Sequence, residues 1–209
     1  MPLIKKVFLG FLSVLNKISF ILILALLLWQ SKLFIDSQRN ITTIQKPITT
    51  LDSIIISLHK FRCPAEYIEP YALAIHRNCT NLKIDWKFIV AKIYCESYFD
   101  PSLKSFVSTK LKGDKEKEFA VGLLQIKPST AIVVANELGD TYSYEKLFDG
   151  ITSIKWGTYY FSQRLIRYYF NYEKAVRAYN IGDKGLTDSI ELSDKHWDRV
   201  LSIYNSIGG

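Results

Sequence analysis

Of the acidic side chains in this sequence, Glu96 has the surroundings of a proton carrier. Stepping back by three and by seven positions reaches Ile93 and Ile89, so its carboxyl shares the stripe that a helix here turns toward the core. It also falls in the last turn before Asp100-Pro101, where the negative end of the helix dipole disfavours a second negative charge. Burial and dipole both favour the neutral acid, and a carboxyl kept protonated near neutral pH is a general acid. The ordinary alternative is a surface glutamate near a helix end. Two other clusters carry hydrogen-bonding groups in suggestive settings. Gly122 permits an unusual turn or close approach of a ligand, and the Gln125 amide can donate and accept at once. Gln125 could equally satisfy backbone in a loop that leads into a helix. Tyr179 and Asn180 precede Gly182; a phenol and an amide there could orient a ligand or hold the Glu96 carboxyl. Their alternatives are a core aromatic with a capped hydroxyl and a left-handed C-cap.

The elements that must position these groups are helical. Apolar residues recur at three and four in Tyr67, Tyr71, Ala74 and Ile75, and again in Trp86, Ile89, Val90 and Ile93. Asp85 is a good N-cap for the second segment, and Asp100-Pro101 marks its end, since the residue before proline avoids the helical region. Pro128 suits a first turn and Gly139 a stop. Further helices are expected over Ile151–Tyr169 and Glu173–Tyr179, with Trp197–Ser206 closing the chain. No run alternates strictly enough to require a sheet, although residues 105 to 121 suit a short hairpin. The fold class is mainly α.

The N-terminus reads differently. From Val7 to Trp29 the chain is almost entirely Leu, Ile, Phe and Val, broken by Asn16 and Lys17. A bilayer core needs roughly 20 apolar residues of helix, which Val14 to Ile35 supplies if Lys17 and Lys32 snorkel to the interfaces. Bulky residues follow the apolar core where a signal peptidase needs small ones, so the expectation is an uncleaved signal-anchor. Lys5, Lys6 and Lys17 favour an inside N-terminus and an outside, periplasmic or extracytoplasmic, remainder. The expected organisation is a membrane anchor over 1–35, a stalk over 36–62 and one domain over 63–209.

The chain carries a net charge of +7. Residues 1–35 hold four lysines and no acid, which leaves only +3 for the rest. Nothing resembles the clustered Arg and Lys of a nucleic-acid footprint, and no nucleic-acid partner is expected. Cys63, Cys79 and Cys95 are an odd set for a chain placed outside the cytoplasm. If residues 64–78 form one helix, Cys63 and Cys79 lie about 24 Å apart, beyond disulfide reach. His59, Cys63, His76 and Cys79 match no zinc spacing, so no metal or other cofactor is expected.

Three motifs occur in order: Tyr94-Cys95-Glu96-Ser97-Tyr98-Phe99-Asp100-Pro101; Gly122-Leu123-Leu124-Gln125-Ile126 with Pro128 and Thr130-Ala131; and Ala178-Tyr179-Asn180-Ile181-Gly182. Each alone is weak, but together they resemble the soluble lytic transglycosylase (SLT) domain, a lysozyme-like fold whose relatives include goose-type lysozyme. The likeness runs over about residues 64 to 205, with Leu147-Phe148-Asp149, Ile154 and Gly157 between the later motifs and Trp197, Arg199 and Val200 in the last helix. It implies that Glu96 is the catalyst, that Ser105 matches a family serine, and that the backbone near Leu124 with the Gln125 side chain lines the cleft. Tyr179 and Asn180 would orient an acetamido group or Glu96. The substrate implied is the glycan strand of peptidoglycan, cut between N-acetylmuramic acid and N-acetylglucosamine with formation of a 1,6-anhydro ring, Glu96 acting as acid and then as base.

Residues 106–119 depart from the pattern as an insertion that includes Lys110, Lys112, Asp114, Lys115, Glu116, Lys117 and Glu118. A mixed charge run of this kind is a solvated loop, a cover for the site, or the source of a second carboxylate that would make the enzyme a lysozyme-type hydrolase. Ser153 stands where many relatives have asparagine, a change expected to be structural. A third reading is a non-catalytic wall-binding module of an envelope-spanning secretion or phage assembly.

Overall fold

The computed structural model describes residues 23–33, 48–107, 118–188 and 190–207. The chain divides into two compact units, 1–48 and 49–209. In the first, residues 23–33 are helical (α1), and Leu26, Leu27, Leu28 and Trp29 on it are exposed. No helix among the described residues is long and apolar enough to cross a membrane; most of the expected anchor, and residues 36–47 of the expected stalk, lie outside the described residues.

The second unit begins earlier than the domain expected at residue 63. Thr49 and Asp52 form a reciprocal capping box, each side chain accepting the other's backbone N–H, and this launches α2 (Thr50–Lys60). Ile54 and Leu58, one turn apart, are fully buried against the domain. Residues 50–60 are therefore core helix, a correction to the stalk reading. A stretch with three consecutive isoleucines (54–56) and two serines, residues of only modest helix propensity, forms a helix here because its cap and its buried face outweigh that propensity.

After a turn through Cys63, α3 (Ala65–Leu82) runs unbroken past Pro70 and ends on Lys83 in the left-handed region. Asp85 caps α4 (Trp86–Ser97) by accepting the Lys87 N–H. This helix is the hub of the unit. Ile89, Val90, Ala91, Lys92 and Ile93 are all fully buried, so it is enclosed on several faces rather than along one stripe, with α2, α3 and the last helix packed on it. Tyr98 and Phe99 both adopt positive φ, and this left-handed pair stops α4 before Asp100-Pro101 is reached.

The expected hairpin is present. β1 (Lys104–Val107) pairs antiparallel with β2 (Glu118–Val121), in a register that sets Ser105 opposite Ala120 and Phe106 opposite Phe119. Residues 108–117 of the insertion lie outside the described residues. From β2 the chain turns through Gly122–Gln125 and returns at Ile126, which exchanges backbone hydrogen bonds with Val121 at 3.0 and 3.1 Å. Gly122 is required here: its φ is +79°, and a Cβ would stand 2.1 Å from the Leu147 carbonyl oxygen.

Helix α5 (Pro128–Glu137) has its proline in the first turn and Gly139 at positive φ just beyond its end. A 3-10 turn (Glu145–Phe148) leads into α6 (Gly150–Arg167), capped by Asp149 on the Thr152 N–H. The chain then forms α7 (Tyr172–Asp188), broken at Gly182 (φ 74°, ψ 165°), and α8 (Ile190–Ser206). Trp156 and Phe161 of α6 fill the core with Ile75, Ile89, Leu123 and Leu124. The result is mainly helical with one small two-stranded sheet, and the sheet stands beside the C-terminal end of the buried hub helix.

Candidate active site

Burial of α4 delivers Glu96 to the floor of a cleft of about 690 Å³, with a side chain only 12% exposed. Ser105 of β1, Gln125 of the turn, Tyr179 and Asn180 of α7, and His196 and Arg199 of α8 line the same cleft. Among the described residues, Glu96 is the one carboxylate that lines it. Asp100 is engaged elsewhere, accepting from the Ser102 N–H and hydroxyl. Asp114 and Glu116 lie outside the described residues.

The three sequence motifs meet through main-chain oxygens of the turn. The Ser97 hydroxyl lies 2.9 Å from the Leu123 carbonyl and 3.1 Å from that of Ile93. Tyr179 donates its hydroxyl to the Leu124 carbonyl at 2.7 Å, and the Leu124 N–H donates to Ser153 Oγ at 3.3 Å. Ser153 is fully buried and holds this loop against α6. Leu124 itself is buried, with both backbone groups satisfied inside the fold, and does not line the cleft. The expectation that its backbone faces substrate is corrected on that ground. Tyr179 bonds the turn rather than the Glu96 carboxyl, and its phenol is held well above its ordinary range, first by burial and then by the nearby Glu96 charge. Gln125 divides its functions: Nε2 donates to the carbonyls of Leu103 and Gly122 at 3.1 and 2.8 Å, while Oε1 is buried without a hydrogen-bond partner. It adopts positive φ, which aims the side chain back across the turn. Asn180 is exposed and lines the cleft directly before the break at Gly182.

Two basic groups beside Glu96 were not singled out in the sequence. Lys92, one turn earlier on α4, is fully buried, and its Nζ lies 3.1 Å from Glu96 Oε1. The same ammonium sits 3.7 Å from the centroid of the Tyr179 ring. An unpaired buried lysine is costly, and here a carboxylate and an aromatic face offset the lost hydration. Glu96 is sheltered as its place on the core-facing stripe implies, and a buried cation shares its surroundings. From α8, His196 Nε2 stands 3.5 Å from the same oxygen. Burial is the main reason that its pKa is lowered to about 4, with Lys92 and Arg199 acting in the same direction and Glu96 opposing. The imidazole is neutral at neutral pH. The i,i+4 spacing of Lys92 and Glu96 was a readable signal. His196 had none, since only the return of α8 onto α4 brings it near.

The remaining groups are poor chemical agents. Cys95 lines the cleft, but burial raises its thiol to about 11, so it is not a nucleophile at neutral pH. Cys63 and Cys79 are free, buried and pushed up to about 12 by burial. Among the aromatic residues, Tyr160 lines the cleft, Trp156 is wholly buried, and Tyr169 is 93% exposed outside the cleft lining.

The site is thus one sheltered carboxyl in an open polar cleft of a helical domain with a small sheet. The transglycosylase SLT domain matches residues 74–201, and the chain belongs to that family. Among solved structures it is similar to an inactive mutant of lytic transglycosylase Slt from Pseudomonas aeruginosa, at 22% identity and TM-score 0.57, covering 86% of this chain and 29% of that one. It is also similar to the 70 kDa soluble lytic transglycosylase from Escherichia coli, at 17% identity and TM-score 0.54, covering 76% and 30%. A complex of a 70 kDa soluble lytic transglycosylase with bulgecin A matches at 20% identity and TM-score 0.50, covering 72% and 23%. The chain thus spans less than a third of the length of these enzymes. None of the curated proteins matches it.

Proposed function

We propose that this protein is a peptidoglycan lytic transglycosylase that cleaves the β-1,4 bond between N-acetylmuramic acid and N-acetylglucosamine, with Glu96 as acid and then base. The observation that supports this most is that Glu96 is the one carboxylate lining the cleft among the described residues. Paired-carboxylate hydrolases need a second one across the sugar. In the first step the Glu96 proton passes to the glycosidic oxygen as the bond to C1 breaks, and the substrate's acetamido group steadies the positive charge. In the second, the carboxylate takes the proton of the C6 hydroxyl while that oxygen closes on C1. Tyr179, Cys95 and His196 do not replace it: the first two hold their protons and the third lies on the same side of the cleft as the acid. Lys127 and Arg199 on the lining favour a strand bearing carboxylates.

The test is digestion of purified sacculi by wild type and Glu96→Gln. Anhydro-muropeptides from wild type and none from the variant are expected. Products heavier by one water mean lysozyme-type hydrolysis. Wall binding with no release by wild type means a non-catalytic module. The apolar N-terminal sequence further leads us to propose that the domain works on the extracytoplasmic side of a membrane to which the chain is anchored. Fractionation of cells with and without residues 1–35 tests the anchoring.

A further inference from the structure

We infer that Lys92 and His196 are positioning residues that clamp one oxygen of the Glu96 carboxylate, Oε1, and leave Oε2 to deliver the proton and to recover it. The inference rests on the transglycosylase reading above.

Both groups converge on the same atom. Lys92 Nζ is 3.1 Å from Oε1 and His196 Nε2 is 3.5 Å from it. A carboxylate has two equivalent oxygens on a broad torsion, so a clamp on one of them makes the pair distinct and fixes the direction of the other. Lys92 is suited to this because it is immobile. Its side chain is fully buried, and its ammonium is set over the rings of Tyr179, at 3.7 Å, and Phe161, at 5.7 Å. His196 approaches from the opposite element. Its Nε2 is buried and has no hydrogen-bond partner, and Oε1 at 3.5 Å is the acceptor beside it for the tautomer with the proton on Nε2. Catalytic hydrogen bonds are commonly long in empty sites and tighten around substrate. Because the imidazole is neutral, it adds a donor without adding a second cation beside Lys92. The charged and titratable groups around it are Glu96 and Lys92 from α4, Tyr179 from α7 and Arg199 on its own helix.

The clamp acts most on the second step. Ring closure needs Oε2 within reach of the C6 hydroxyl at the moment that C1 is electron-poor. The C6 proton goes to Oε2, the C6 oxygen bonds to C1, and no water is consumed. If the carboxylate turns away, water attacks C1 instead, a proton passes to Glu96, and the product is a reducing end one water heavier. The ratio of anhydro to reducing ends therefore reports the aim of Glu96, which a purely structural role for Lys92 or His196 would leave unchanged.

The experiment uses the full chain on purified sacculi, with initial rates and mass spectrometry of the products for wild type, Glu96→Gln, His196→Leu, His196→Asn and Lys92→Met. For His196→Leu, kcat is expected to fall about 10- to 100-fold, as a small misplacement of a reacting group does, with KM within about twofold and reducing ends rising from a trace to a substantial share of the products. His196→Asn retains an N–H and is expected to restore part of both. Lys92→Met is expected to show the larger loss in the same sense. If it does not fold, the two His196 variants carry the comparison alone. A folded His196→Leu with the rate and product ratio of wild type overturns the clamp, as does a variant whose kcat and KM change together with the ratio unaltered. Wild-type products that are all reducing ends overturn the transglycosylase reading, and the ring-closing role of the clamp with it, before any variant is compared.

Discussion

Acidification should destabilise this fold through His196, and the effect can be sized. The folded protein holds this imidazole at about 4 against an ordinary 6.5, chiefly because it is buried. Above 6.5 neither the folded nor the unfolded chain protonates it, and it contributes no pH dependence. Between 6.5 and about 4 the unfolded chain takes up the proton and the folded one does not, so stability falls as the pH drops. Below about 4 both are protonated and the loss levels off. At about 1.4 kcal/mol per pH unit, the full loss is on the order of 3 kcal/mol. For a chain of this size that lowers Tm by roughly 6 to 12 °C. Carboxylates also titrate in this window, so the measurement is a difference: urea unfolding of wild type and His196→Asn at pH 7, 6, 5 and 4. The stability gap between them should move in favour of the variant by about 3 kcal/mol from pH 7 to pH 4. Parallel loss in the two proteins would refute the reasoning, because it would mean that the imidazole protonates as readily inside the fold as outside it.

Other expectations concern the scaffold. Gly122→Ala should cost more than about 2 kcal/mol in urea unfolding, since its Cβ meets the Leu147 carbonyl and its φ suits glycine. Thr49→Ala should cost about 1 kcal/mol by removing one half of the capping box on α2, read as a shift in Tm. The three cysteines, buried with raised pKa values, should resist a thiol reagent at pH 8 in the native protein and react fully in denaturant; fast native labelling would contradict the burial.

Much of the scaffold was legible because its signals are local. Asp85, Pro128 and Gly139 mark helix boundaries through groups that bond or turn within a few residues. The hairpin between residues 105 and 121 was readable for the same reason. The stop of α4 was read one step late, at Pro101 rather than at the left-handed Tyr98 and Phe99, because no sequence rule marks two bulky residues for that conformation. Helix α2 was missed because its run of isoleucines among serines gives little helical signal, while the burial of Ile54 and Leu58 that decides the matter depends on α3 and α4.

The site divides in the same way. Glu96, Ser105, Gln125, Tyr179 and Asn180 come together around one cleft, whereas Leu124 serves the interior. Lys92 lay within sight of the helical spacing, but a lysine in an apolar run reads by default as a charge that reaches solvent. His196 could not be read at all, since its relation to Glu96 exists only after α8 has folded back.

The way that the three segments are joined bears on how such a domain can change over time. Ser97 and Tyr179 reach oxygens that every amino acid possesses, the peptide carbonyls of Leu123 and Leu124. The residues that are held can therefore be exchanged for others of similar bulk without undoing the joint, whereas the two hydroxyl-bearing residues that do the holding cannot. Drift in a lineage should concentrate on one partner of each bond, so that distant descendants keep the fasteners long after the fastened side chains have diverged.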